Sequence, residues 1–130
     1  DSLFSEISGG ERQLVLISRA LAQQSNILIM DEPTASLDYG NQTRILKIIR
    51  GLASQGYSIV MTTHFPNHAF LACNKVAIMN GGKIVAIGSP DDIVTDGNLS
   101  DLYTTKIKVV STKIRGMLSG EIKVCVPLMT

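Results

Sequence analysis

Along the chain, hydrophobic positions fall first at helical spacing, then in short unbroken runs, then in alternation. Ser8-Gly9-Gly10-Glu11 fits the S-x-x-E capping box, in which the serine hydroxyl accepts from the third helical amide and the glutamate reaches back to the cap amide. A helix is predicted from there. Leu14, Ile17 and Leu21 recur on one face, with Val15 and Ala22 widening the stripe, until Gln23-Gln24-Ser25-Asn26 ends it. Ile27-Leu28-Ile29-Met30 is wholly apolar, which predicts a strand buried on both faces, closed by Asp31-Glu32-Pro33. Gly40 to Ser54 forms a second amphipathic pattern through Ile45, Ile48, Ile49 and Leu52. After Gly56, Ser58-Ile59-Val60-Met61-Thr62-Thr63 reads as another buried strand. A strand, a helix and a strand within about 35 residues favour a right-handed βαβ unit, hence a parallel sheet and an α/β fold.

Further on, Pro66 to Ala72 predicts a short helix. Lys75 to Met79 and Lys83 to Ile87 flank Asn80-Gly81-Gly82, turn residues able to take positive φ, and predict a hairpin. Ser89-Pro90-Asp91-Asp92 opens another short helix, with proline near its first position and acids at its amino end. From Asp96 the pattern changes. Ile107 and Val109, then Ile122, Val124 and Val126, alternate with Lys106, Lys108 and Lys123, as half-exposed strands paired in an antiparallel ribbon do. Charge changes with it, from −1 over residues 1–95 (seven basic, eight acidic) to +2 over residues 96–130 (five basic, three acidic). Two regions, 1–95 and 96–130, are expected.

The 130 residues are 45% hydrophobic and 18% charged, with a formal charge of +1, which excludes a disordered chain and a generic polyanion binder. The longest apolar run, Ala69 to Cys73, falls far short of the roughly 18 residues that cross a bilayer. Asp1-Ser2-Leu3-Phe4 lacks the basic region of a secretory signal. Cys73 and Cys125 form neither a disulfide framework nor a CxxC zinc motif, which suits a reducing compartment. With no initiating methionine and a strong helix signal at Ser8, the sequence reads as a piece beginning inside a domain.

Several residues are candidates for chemistry. Asp31 and Glu32 stand where a parallel strand runs out, the edge at which open α/β sheets bind ligands. One carboxylate there suits a hard cation such as Mg²⁺, which keeps its other positions for water and phosphate oxygens. Its neighbour suits the orientation or deprotonation of a water attacking phosphorus. From the dipeptide alone, however, a polar turn is the better reading. His64 ends the next strand, on the same edge; a bridging imidazole and a surface histidine explain it equally. Ser8-Gly9-Gly10 could receive a phosphate at a helix amino terminus, although helix capping suffices. His68 follows His64 at i+4, but Pro66 breaks the register and no third metal ligand is evident. The phosphate loop G-x-x-x-x-G-K-[ST] is absent, since Gly51 to Gly56 is followed by Tyr57-Ser58.

The order and spacing of these segments carry more than any one of them. Ile7-Ser8-Gly9-Gly10-Glu11-Arg12-Gln13, Ile27 to Thr34, Ser36-Leu37-Asp38 and Thr62-Thr63-His64 together closely resemble the carboxyl-terminal half of an ATP-binding cassette (ABC) ATPase, a P-loop NTPase-like α/β fold. The resemblance covers residues 2 to about 95, with Ile7 where leucine is usual and Glu11 where glutamine is common. It implies that Ser8 to Gln13 are the signature segment, residues 27–31 the Walker B strand, Glu32 the catalytic base, Ser36-Leu37-Asp38 the D-loop and His64 the switch histidine. Gly81 to Pro90 resembles the hairpin closing the cassette. Leu99 to Tyr103 and Val124 to Leu128 are similar to the tail of subunits energising import of iron chelates, haem, cobalamin or oxyanions.

What the resemblance implies is an ATPase with ATP and Mg²⁺ as cofactors. Ser8, Gly9, Gly10, Glu11 and Asp38 would bind nucleotide, Asp31 the metal, and Glu32 and His64 would be catalytic. The partners implied are a second ATPase subunit in a homodimer, membrane-spanning permease subunits and, indirectly, an external solute-binding protein. The place implied is the cytoplasmic face of the membrane, without nucleic acid. The adenine-stacking residue, Walker A loop and glutamine loop of the family are not in this sequence, so the 130 residues alone are expected to be inactive. The competing classes are a non-catalytic cassette remnant that docks to a partner, and a soluble cassette of DNA repair or translation.

Overall fold

The computed structural model describes residues 8–114 and 120–129. Two units divide the chain after His64, each with its own core.

The first unit contains α1 (Gly9–Ala22), β1 (Ile27–Met30), α2 (Tyr39–Ser54) and β2 (Ser58–Met61). The predicted capping box forms, with the Ser8 hydroxyl accepting from the Glu11 amide and the Glu11 carboxylate accepting from the Ser8 amide. Strands β1 and β2 pair in parallel, Ile27 opposite Ser58 through Met30 opposite Met61. Leu28 and Met30 point into a core with Ile17, Ile45, Ile49 and Leu52, drawn from the apolar stripes of both helices. The expectation that β1 is buried on both faces is not met: Ile27 and Ile29 are 59% and 81% exposed, and Val60 of β2 is 58% exposed. Among the described residues, the apolar stripes of α1 and α2 close over one set of alternating side chains only. Helix α2 begins one residue before the expected Gly40, because Asp38 caps it, accepting from the Asn41 amide.

The second unit contains α3 (Asn67–Ala72), β3 (Val76–Asn80), β4 (Lys83–Gly88), α4 (Pro90–Ile93), α5 (Asp96–Tyr103), β5 (Ile107–Thr112) and β6 (Ile122–Pro127). Strands β3 and β4 form the expected antiparallel hairpin, with Gly81 and Gly82 at φ of +56° and +73° in its turn. Strands β5 and β6 pair antiparallel from Ile107 opposite Pro127 to Thr112 opposite Ile122, as the lysine alternation predicts. Helix α5 goes beyond the elements the sequence pattern predicts. Thr95 caps it through the Asn98 amide, while Gly97 and Asn98 depress its intrinsic propensity and hide it from a periodicity argument. Leu99 anchors it in a core with Ala69, Val94, Ile107 and Cys125.

No helix among the described residues is long and apolar enough to cross a membrane.

Candidate functional site

The first unit gathers the candidate residues into two groups joined by the segment from Glu32 to Asp38. The first group stands where β1 and β2 end. Beyond the last register pair, Met30 and Met61, the Thr62 amide donates to the Met30 carbonyl at 3.0 Å and places Thr62 beside the acids. Its hydroxyl donates to Asp31 Oδ1 at 2.6 Å and accepts from the Glu32 amide at 2.9 Å. Glu32 adopts φ +44°, in the left-handed region that residues other than glycine seldom hold. Its Oε1 lies 2.7 Å from His64 Nε2. The two side chains are 41% and 78% exposed, so the pair adds little to stability and remains open to a ligand.

At the second group, the amino end of α1 meets the start of α2. A Cβ on Gly10 would lie 2.6 Å from Asn41 Oδ1 and 2.8 Å from Asn41 Cγ, and one on Gly9 would lie 3.2 Å from Leu37 Cδ2. The Asn41 side chain is not free to swing away, because its Nδ2 donates to Asp38 Oδ2 while its amide donates to Asp38 Oδ1. Those two bonds hold the Asp38 carboxyl below its usual range, the backbone donor more strongly. The Glu11 carboxyl is lowered chiefly by the Ser8 amide and then by the Ser8 hydroxyl. Its charge therefore sits at the positive end of α1, engaged with the cap.

The structure thus brings Asp31, Glu32 and His64 to one strand edge, and Ser8, Gly9, Gly10, Glu11 and Asp38 to one helix junction. Ile7, which stands just before the signature segment where the family has leucine, lies outside the described residues. His68 is not part of either group. It is 4% exposed on α3, its ring centroid 5.1 Å from that of Phe65, and burial lowers its pKa. Among the described residues no three side chains of the histidine, cysteine, aspartate and glutamate types converge to cage a metal. The all-oxygen set of Asp31 fits a different role. One carboxylate oxygen is taken by Thr62 and the other remains, which suits a Mg²⁺ ion whose other ligands are waters and phosphate oxygens.

Sequence reasoning missed two residues here. In sequence Thr62 is only one of the run before His64, and its place opposite Asp31 depends on the strand register. Asn41 carried no signal beyond lying three residues after a capping aspartate.

Comparison with known proteins gives a consistent family. The ABC transporter family model matches residues 1–35. A hemin import ATP-binding protein of Thermobifida fusca is 42% identical over 108 residues, 83% of this chain and 38% of that protein. A vitamin B12 import ATP-binding protein of Photobacterium profundum is 34% identical over 119 residues, 86% of this chain and 47% of that protein. Among solved structures, a metal-chelate type ABC transporter in an inward-facing conformation matches 96% of this chain with a TM-score of 0.88 and 32% identity, over 49% of its own chain. An ATP-binding cassette in its ADP conformation matches 76% of this chain with a TM-score of 0.69 and 26% identity, over 41% of its own. The chain spans less than half the length of each of these proteins.

Proposed function

The chain belongs to the ATP-binding cassette family, and from that premise we propose that it is the carboxyl-terminal part of the ATP-hydrolysing subunit of an importer for a metal chelate or related solute. Residues 1–95 would belong to the cassette and residues 96–130 to an extension carrying the β5–β6 ribbon. The observation that carries the reading is the 2.7 Å contact between Glu32 and His64 beside Asp31, at the ends of two parallel strands.

Each residue has work suited to its place. Asp31, with one oxygen fixed by Thr62, offers the other to the shell of Mg²⁺. That ion, when bound, supplies positive charge against the phosphate oxygens. Glu32 orients the attacking water and takes its proton, and its exposed carboxylate leaves that water room. His64, bonded to Glu32, holds the carboxylate and presents its ring to the γ-phosphate. Ser8, Gly9 and Gly10 present the amino end of α1 to the phosphate of a nucleotide held by a second subunit. Glu11 keeps that helix end capped. Asp38, bonded to the residue that packs on Gly10, would relate the two nucleotide sites of such a dimer.

The relatives named as hemin and vitamin B12 importers support the solute class. Closure of two such subunits on ATP, and their release after hydrolysis, would move membrane-spanning partners between two orientations at the cytoplasmic face, with an external binding protein delivering the solute. In the full-length subunit, Glu32→Gln is expected to keep ATP binding and to lower turnover about 10²- to 10⁴-fold, the range that a general base supplies. Hydrolysis near the wild-type rate would refute the assignment.

A further inference from the structure

Thr62 makes two hydrogen bonds with one hydroxyl, and both partners belong to the proposed phosphate-cleaving pair. The O–H donates to Asp31 Oδ1 at 2.6 Å, and the oxygen accepts from the Glu32 amide at 2.9 Å. The hydroxyl itself is held by backbone, because the Thr62 amide continues the β1–β2 ladder to Met30 at 3.0 Å. Asp31 therefore has one oxygen occupied and its rotamer set, with the second oxygen left for a cation shell. Glu32 has its amide pinned at φ +44°, a conformation that persists in a non-glycine residue only when its surroundings over-determine it. The carboxylate of Glu32 then reaches His64 Nε2 at 2.7 Å.

We propose that Thr62 is a positioning residue of the ATPase centre: its hydroxyl fixes the metal-facing carboxylate of Asp31 and the backbone of Glu32 in a single arrangement. The inference rests on the roles given above to Asp31 and Glu32. It adds that the geometry of both depends on one side chain from the neighbouring strand. A purely structural hydroxyl is expected to look different. Thr62 is exposed, so water competes for its bonds and their loss costs the fold little. The same loss would be felt at the metal and the attacking water, where outer-shell partners govern affinity and rate.

The test uses the full-length ATPase with Thr62→Val, which keeps the shape and removes the hydroxyl, beside Thr62→Ser, which restores it. Binding of Mn²⁺ in the presence of ATP is followed by the electron paramagnetic resonance signal of the free ion, and steady-state hydrolysis and thermal midpoint are measured in parallel. Thr62→Val is expected to weaken Mn²⁺ binding and to lower kcat, each about 10- to 100-fold, with the melting midpoint nearly unchanged. Thr62→Ser should recover most of both. Wild-type Mn²⁺ affinity and kcat in Thr62→Val would overturn the inference, and so would a lowered melting midpoint alone, or a serine variant as impaired as the valine one. Glu32→Gln, run alongside, separates the two levels. Normal turnover there removes the functional reading itself, whereas an inactive Glu32→Gln with a fully active Thr62→Val removes only the role of Thr62.

Discussion

Thr62 and Asn67 lie five residues apart, on either side of the division between the two units, and each joins segments far apart in sequence. Thr62 ties two exposed acids at a strand edge, one of them with positive φ. Asn67 accepts from the amide of buried Cys125 through Oδ1 at 2.7 Å, and so fastens α3 to β6. Two acids of the second unit likewise join its elements. Asp96 accepts from the Val109 amide and from Lys108, and Asp91 accepts from Lys123, joining α5 and α4 to the β5–β6 ribbon. In the first unit the two bonds of Thr62 and the Glu32–His64 contact meet at three candidate residues, whereas in the second the bonds of Asn67, Asp96 and Asp91 are spread along the seams between elements. One kind of bond thus serves a candidate site in one place and the joints of a scaffold in the other, and the difference lies in whether several bonds meet at one point or are spread between elements.

Glycines divide the same way. A Cβ on Gly81 or Gly82 would meet nothing within 4 Å, so those residues serve their positive φ alone. Gly10 has an ordinary backbone and is needed for closeness, since Asn41 occupies the space a methyl would take. Gly10→Ala should therefore cost about 1–3 kcal/mol by overpacking, in chemical denaturation, and should weaken hydrolysis in the full-length subunit. Combining it with Asn41→Gly should return part of that stability. If the double variant is no more stable than Gly10→Ala, close approach is not what requires the glycine.

Asn67 supplies the contrasting case. Asn67→Ala leaves the part-buried amide of Cys125 without its acceptor, a loss of about 1–2 kcal/mol between the net worth of a bond and the full cost of an orphaned donor. The denaturation midpoint should fall while Mn²⁺ affinity in the presence of ATP stays at its wild-type value, the reverse of the pattern expected for Thr62→Val. A shift in Mn²⁺ affinity would mean that the scaffold and the strand edge are not separable in this way.

Much of this was legible because it is local. The Ser8–Glu11 capping box, the Gly81-Gly82 turn and the lysine alternation of β5 and β6 are each written within a few residues. Asp31, Glu32 and His64 could be placed on one edge because parallel strands end on the same side, a rule that needs no register. The roles of Thr62 and Asn41 were not legible, since each depends on which residue stands opposite which across 30 or so positions. That spacing is fixed by packing of Leu28, Met30, Ile45 and Ile49, and no local pattern reports it. Ile29 shows the opposite failure: an unbroken apolar run predicts a strand covered on both faces, yet the pleat buries Leu28 and Met30 and leaves Ile29 81% exposed.

The smallest expected effect is on pH dependence, and it sharpens the contrast between the two histidines. His64 is open at the strand edge, whereas His68 is 4% exposed and burial lowers its pKa from the ordinary 6.5. Below that value the unfolded chain takes up a proton that the folded chain resists, so the unfolded state binds more protons. The stability that neutral His68 contributes is thus fully present above about pH 6.5 and is lost as pH falls toward the folded pKa. The other shifted groups of the second unit act elsewhere. Asp96, lowered by Lys108 and the Val109 amide, titrates in acid below the range of a histidine, while partly buried Cys73 and Tyr103 and buried Cys125 are raised and bear on alkaline conditions. Urea midpoints measured between about pH 7.5 and 5 should fall more steeply for the wild type than for His68→Gln, whose side chain does not titrate. Equal slopes would show that the buried ring accepts a proton as readily in the fold as out of it, and the distinction between an open and a closed-over histidine would then have no thermodynamic content.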